Sequence, residues 1–203
     1  MRPYATMARM CRQAFGVTSP TIELIRGYHT WTDNRLWIYD QSGSTPARRV
    51  INLCHYAASI GIKHIIIDSL MKVVAKEDDY NGQKEFVDGL CVMARDTGMH
   101  VHLVHHSRKR EDENKRPGKM DAKGSGAISD LVDNCISVFR VKSGTSDFGD
   151  YDCLLTVDKQ RHGEWEGTFG LYFNAEAQGY TEDAMRRYKV MNIKDCTLTE
   201  DSF

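Results

Sequence analysis

The sequence predicts an α/β domain with a mostly parallel sheet, and three observations carry that prediction. Ile65, Ile66 and Ile67 make a continuous apolar run that ends in Asp68 and Ser69. A helical pattern follows from about Gly82 to Thr97, with Phe86, Leu90 and Met93 on one face, and Met99 to Val104 then reads as another strand. Strands separated by helices of about a dozen residues require crossover connections, which run right-handed and favour parallel pairing. An unbroken apolar run is the pattern of a strand covered on both faces.

The other elements follow in order. Met7, Met10, Cys11, Ala14 and Phe15 fall at helical spacing, with Gly16 placed as a left-handed C-cap, so the chain opens inside an element. Ser19-Pro20 and Thr45-Pro46 each look like an N-cap followed by proline at the first helical position. Between them Leu36 to Tyr39 is expected as a short buried strand. The helix after Pro46 is expected to run to Gly61 with Val50, Leu53, Cys54, Ala57 and Ala58 inward. Ser107 to Ala122 holds three lysines and three arginines with almost no apolar residues, and is expected as a loop. A short helix near Ala127 to Val132 and strands at Cys135 to Phe139, Leu154 to Val157 and Phe169 to Phe173 complete the pattern, the later strands being antiparallel additions at a sheet edge. The tail from Lys194 is polar and offers no core.

Bulk composition narrows the class. The chain has 203 residues, 41% apolar and 9% aromatic, which is ample for one soluble domain with a real core. Lys plus Arg total 27 against 28 for Asp plus Glu, so nucleic-acid binding must come from local patches. Six scattered cysteines without C-x-x-C fit a reducing cytoplasm. A run of apolar residues long enough for a membrane span and a secretory signal are both missing, so no membrane partner is expected.

Four segments carry chemistry. Asp68 ends a buried strand on the side where open α/β sheets bind ligands, and such an aspartate can hold Mg²⁺ through water with Ser69 orienting the shell. By itself Asp68 is equally an aspartate capping a loop after a core strand. At the end of the next strand, His106 is a neutral donor and acceptor able to touch a phosphate and a nucleic-acid loop, with His105 one residue away. His100 and His102 read as structural histidines alternating along the strand. Lys123-Gly124-Ser125-Gly126 has glycines that permit close backbone approach to a phosphate and a lysine to pair with it. With Arg108 and Lys109 in the preceding basic segment, it is expected to contact single-stranded DNA. Lys159 and Arg161 stand at a strand end before His162-Gly163, where an arginine can reach a neighbour's nucleotide in a ring. Alone, that segment is a solvated hairpin tip.

These four segments, in this order, resemble the motor domain of DnaB-type ring helicases and the helicase half of bacteriophage primase-helicases. The resemblance spans roughly residues 1 to 180 and implies a RecA-like P-loop NTPase core. It implies that Asp68 is the Walker B aspartate, His106 the strand-end sensor, and Lys159 and Arg161 the trans-acting pair. Lys123, Gly124, Ser125 and Gly126 fall on the loop that holds single-stranded DNA in a hexameric ring. ATP (or another NTP) and Mg²⁺ are the implied cofactors, with Asp68, Ser69, His106 and Arg161 around the nucleotide, and 5′ to 3′ DNA unwinding is the implied activity.

No G-x-x-x-x-G-K-[ST] loop occurs in the 203 residues. The resemblance implies that this phosphate cradle and the catalytic glutamate precede Met1, making the fold N-terminally truncated and the isolated chain inactive. Residues 1–190 then read as the C-terminal portion of a motor domain and 191–203 as an acidic tail. Glu200, Asp201 and Phe203 resemble the tails through which phage primase-helicases contact a replicative polymerase. Two other readings remain open: another RecA-like ring ATPase such as a recombinase, and a non-catalytic module that joins an intact helicase and lends it Arg161.

Overall fold

The computed structural model describes residues 2–41, 43–74, 76, 78–106, 126–141 and 149–192. They fall into two compact units, one built from Met1–Asp40, Arg140–Leu155 and Phe169–Phe203, the other from Gln41–Phe139 and Thr156–Thr168.

The second unit holds the parallel strand pair. Helix α3 (Ala47–Ser59) starts directly after Pro46, and helix α5 (Tyr80–Thr97) is capped by the Asp79 carboxylate, which accepts from the Gly82 amide at 2.9 Å. Between them lie β1 (His64–Asp68) and the single turn α4 (Leu70–Val73), and α5 leads into β2 (His100–Val104). Gly98 adopts the left-handed conformation that closes α5. Strands β1 and β2 pair in parallel with His64 opposite His100 and Asp68 opposite Val104, as the alternation of strand and helix predicts.

Val50, Cys54 and Ala57 of α3 and Phe86, Val87, Leu90 and Met93 of α5 form the core, and Ile65, Ile67, Val101 and Leu103 pack against it. Gly89 lets the two helices approach, because a Cβ there would stand 2.8 Å from the Ile51 Cδ1 methyl. Burial pushes the Cys54 thiol up to about 11.

The apolar run misled in one respect. Exposure alternates along β1, and Ile66 is 72% exposed. Side chains alternate along a strand, so Ile65 and Ile67 face the helices while His64, Ile66 and Asp68 face away. Among the described residues only one face of the pair is covered.

Helix α6 (Gly126–Leu131) is followed by β3 (Asn134–Arg140), β4 (Cys153–Gln160), β5 (Gly167–Asn174) and β6 (Gly179–Thr181). Hydrogen bonding groups these strands as a sheet of their own, in the order β3-β4-β5-β6. β5 and β6 are antiparallel, with Phe173 opposite Tyr180.

In the first unit, α1 (Pro3–Phe15) and α2 (Ile22–Thr32) enclose Cys11, Phe15 and Tyr28, and the Phe15 and Tyr28 rings meet edge-on at 6.4 Å. Gly16 ends α1 at φ 64°, and a Cβ there would lie 2.6 Å from Val190 Cγ1, so both conformation and space demand glycine. The cap of α2 is Thr21, whose hydroxyl accepts from the Leu24 amide at 3.4 Å, rather than Ser19; Pro20 therefore precedes the cap. Leu36 to Tyr39 is not a strand: Trp37 and Tyr39 are half exposed and the segment joins neither sheet. Three or four apolar residues make a strand only beside a partner that accepts their backbone hydrogen bonds.

Phe86→Ala is expected to destabilise the chain by about 3–5 kcal/mol, whereas Ile66→Ala should cost about 0.5 kcal/mol or less. Urea denaturation followed by circular dichroism checks both. Equal losses would mean that the outer face of β1 is covered in solution.

Candidate functional site

The register of β1 and β2 builds one end of the site. Asp68 pairs with Val104, and His106 lies two residues past Val104, on the side of the sheet that Asp68 faces. His106 Nε2 stands 3.9 Å from Asp68 Oδ1, and both side chains are about two-thirds exposed. That distance exceeds a hydrogen bond and becomes an ion pair only when His106 is protonated. Ser69 follows as the N-cap residue of α4 and is buried.

His105 has the opposite parity. It is half-buried, its Nδ1 is buried without a hydrogen-bond partner, and burial, then the neighbouring His106, pushes its pKa down. Of the two adjacent histidines, the one beside the aspartate is His106.

The far end of the same face carries imidazoles. His64 Nδ1 approaches His102 Nε2 at 3.4 Å, and the His100 and His102 ring centroids lie 4.4 Å apart. His102 is pushed down by burial first, then by His100 and His64. Among the described residues, no group of three or more His, Cys, Asp or Glu could hold a metal ion. Asp68 is thus a single exposed carboxylate. That donor set suits a cation held mostly by water and substrate phosphates, as Mg²⁺ is in nucleotide enzymes.

Lys159 and Arg161, predicted to project from a strand end, are occupied at the end of α6. Lys159 Nζ donates to the carbonyls of Ser129 at 2.6 Å and Asp130 at 3.0 Å. Arg161 Nη2 donates to the Asp130 carbonyl at 2.8 Å and the Leu131 carbonyl at 3.5 Å. The Val132 amide takes the Ile128 carbonyl at 3.2 Å, so every carbonyl of the last turn has a partner. Cations at a helix C-terminus are each worth about 0.3–1 kcal/mol when exposed.

Asp133 completes this cluster and was not foreseen. Its carbonyl accepts from the Arg161 amide at 2.8 Å and its Oδ1 lies 3.1 Å from Arg161 Nη1. His162 Nε2 is 3.8 Å from the same oxygen. A single acidic residue between a short helix and a strand has no pattern to mark it. Its one sequence signal is its place just after a helix end, where strand-end cations from elsewhere in the chain can gather.

Arg108, Lys109, Lys123, Gly124 and Ser125 lie outside the described residues, as do Glu200, Asp201 and Phe203; Gly126 is the first residue of α6. Among the described residues no helix is long and apolar enough to cross a membrane.

The sequence profile of the AAA-domain family matches residues 6–112, more than half of the chain. The chain belongs to the AAA-domain family. Asp68, Ser69 and His106 lie inside the matched stretch, and Lys159 and Arg161 lie beyond it. Solved structures share the fold. A DnaB-like replicative helicase, described with its interactions with primase, superposes with a TM-score of 0.69 at 19% identity, covering 89% of this chain and 48% of that one. A second solved structure, an ATPase domain, gives a TM-score of 0.73 at 19% identity, covering 89% of this chain and 70% of that one. The chain therefore has an α/β, P-loop NTPase-like fold, and it spans about half the length of the first of these relatives.

Because His102 titrates below the ordinary value of 6.5, the unfolded chain takes up its proton first. The stability it contributes is present above that value and is lost as pH falls through its depressed pKa. The melting temperature is expected to drop as the pH falls below about 6.5, and His102→Asn should flatten that slope. Superimposable pH profiles for the variant and the parent would refute the assignment.

Proposed function

We propose that this chain is the motor portion of a DnaB-type replicative helicase, coupling ATP hydrolysis to 5′ to 3′ movement along single-stranded DNA in a homo-hexameric ring. The observation that carries the reading is the meeting of Asp68 and His106 at the ends of two paired parallel strands. An AAA-domain match across both residues and a fold shared with a replicative-helicase structure and an ATPase domain support it.

In this reading Asp68 would hold Mg²⁺ through water, with Ser69 orienting the shell. When bound, Mg²⁺ with ATP neutralises the charge that develops on the terminal phosphates. His106, with one side toward Asp68, senses the γ-phosphate and passes the change to Arg108, Lys109 and the Lys123 to Gly126 segment, which hold the DNA backbone. Lys159 and Arg161 turn toward a neighbouring subunit's nucleotide and stabilise the charge there. Residues 1–190 form the motor portion, and the 191–203 tail offers Phe203 to a replicative polymerase. The setting is the cytoplasm of a bacterium or a phage-infected cell, where helicase halves of phage primase-helicases work in the same way.

The 203-residue chain contains no G-x-x-x-x-G-K-[ST] sequence and, tested by itself, is expected to hydrolyse ATP negligibly. A DNA-stimulated turnover of about one per second or more would contradict that. Joined to such a phosphate-binding segment, the protein is expected to open forked DNA carrying a 5′ tail. There Asp68→Asn should lower kcat about 10²-fold or more, and His106→Ala should lower the DNA-stimulated turnover more than the turnover without DNA. Unwinding that requires a 3′ tail, or an Asp68→Asn protein as active as its parent, would sink the reading.

A further inference from the structure

We infer that Asp133 is the positioning residue for Arg161, its carboxylate deciding whether the guanidinium lies on the end of α6 or extends to a phosphate. The inference rests on the reading of Lys159 and Arg161 as phosphate-binding cations. It adds the residue that governs their availability.

The geometry assigns two holds on Arg161. Its amide donates to the Asp133 carbonyl at 2.8 Å, which fixes where the end of β4 lies against the α6–β3 link whatever side chain stands at 133. The guanidinium is then divided between Asp133 Oδ1 at 3.1 Å through Nη1 and the carbonyls of Asp130 and Leu131 through Nη2. A planar guanidinium presents its donors in a fixed fork, so engaging the carboxylate aligns the second nitrogen with the helix end. Both side chains of this pair are about half exposed, so an incoming anion can reach them.

A phosphate would need the same donors. It is a stronger acceptor than a neutral carbonyl and competes directly with the carboxylate. Taking the guanidinium away would leave the Leu131 carbonyl without Arg161 and the Asp130 carbonyl with Lys159 only. Phosphate binding and the end of α6 are therefore linked through one side chain, with Asp133 setting the balance.

The test titrates the 203-residue chain with inorganic tripolyphosphate while heteronuclear NMR follows the Arg161 guanidinium and the amides of Val132 to Asn134. Asp133→Asn is expected to tighten the apparent Kd about three- to tenfold, and Asp133→Glu to return it to the parent value. In an Arg161→Ala background Asp133→Asn should change nothing. Asp130→Asn removes equal charge from the same turn, where the contact with Arg161 is through the carbonyl, and should shift Kd by less than about 1.5-fold. Equal tightening by Asp130→Asn, or no change in Asp133→Asn while Arg161→Ala and Lys159→Ala weaken binding, would overturn the positioning role and leave the phosphate reading intact. Unchanged affinity in both cation variants would instead remove the phosphate reading, and this inference with it.

Discussion

The parallel register of β1 with β2 is the constraint on which the site depends. With Asp68 opposite Val104, the aspartate and His106 share a side of the sheet, and the two strand ends reach the same level. A slip of one residue would exchange every inward side chain for an outward one. Ile65 and Ile67 would leave the helices, and Asp68 would turn into the apolar core at a cost of several kcal/mol. The packing of α3 and α5 on this pair therefore does more than stabilise the unit, because it chooses which atoms of β1 and β2 are available for chemistry.

A second constraint acts on α6. A helix of six residues is far too short to persist on its own hydrogen bonds. Ile128 anchors it in the core cluster, and Lys159 of β4 with Arg161 just past its end occupy the carbonyls of its last turn. The exposed contacts of Arg161 are small, about 0.3–1 kcal/mol. Charge-assisted bonds to a phosphate are roughly twice as strong as neutral ones. A cation held this loosely is a usable one: it keeps the helix end in place when no anion is near and can leave without unfolding the core. Cys91 reports the same neighbourhood, its thiol pushed up by burial, then by Asp133 and Asp88, and pulled back by Arg161 and Arg95.

Much of this was legible in the residues, for reasons that differ by element. α1 announced itself through helical spacing and the left-handed glycine cap at Gly16, and α5 through the spacing of Phe86, Leu90 and Met93; its cap at Gly98 went unread. Asp68 and His106 were legible as strand ends, and parity along β2 separates His106 from His105. The run Ile65 to Ile67 told that a strand exists but could not tell that Ile66 faces outward, since an apolar run carries no information about which faces are covered. Leu36 to Tyr39 failed because strand formation is a property of two segments, and a window holds only one. For Lys159 and Arg161 the strand-end position was visible, yet their partners at Ser129, Asp130 and Asp133 are some thirty residues away and share no local pattern with them.

Stability and function are thus carried by different side chains of the same unit. Phe86, Val87, Leu90 and Met93 are all at most 3% exposed, and the apolar surface they remove from water supplies the large favourable contribution to folding. The polar groups at the strand ends lie outside that core, where ion pairs contribute little and cost little to break. In the proposed reading, such a division suits a nucleotide-driven motor. If Asp68, His106, Lys159 and Arg161 were buried and fully paired, moving any of them would cost several kcal/mol per step, a large fraction of what a domain has to spare. Held at the rim by weak contacts, Asp68, His106 and Arg161 would, in the proposed reading, be redirected by a phosphate while α3, α5 and the β1–β2 pair stay folded.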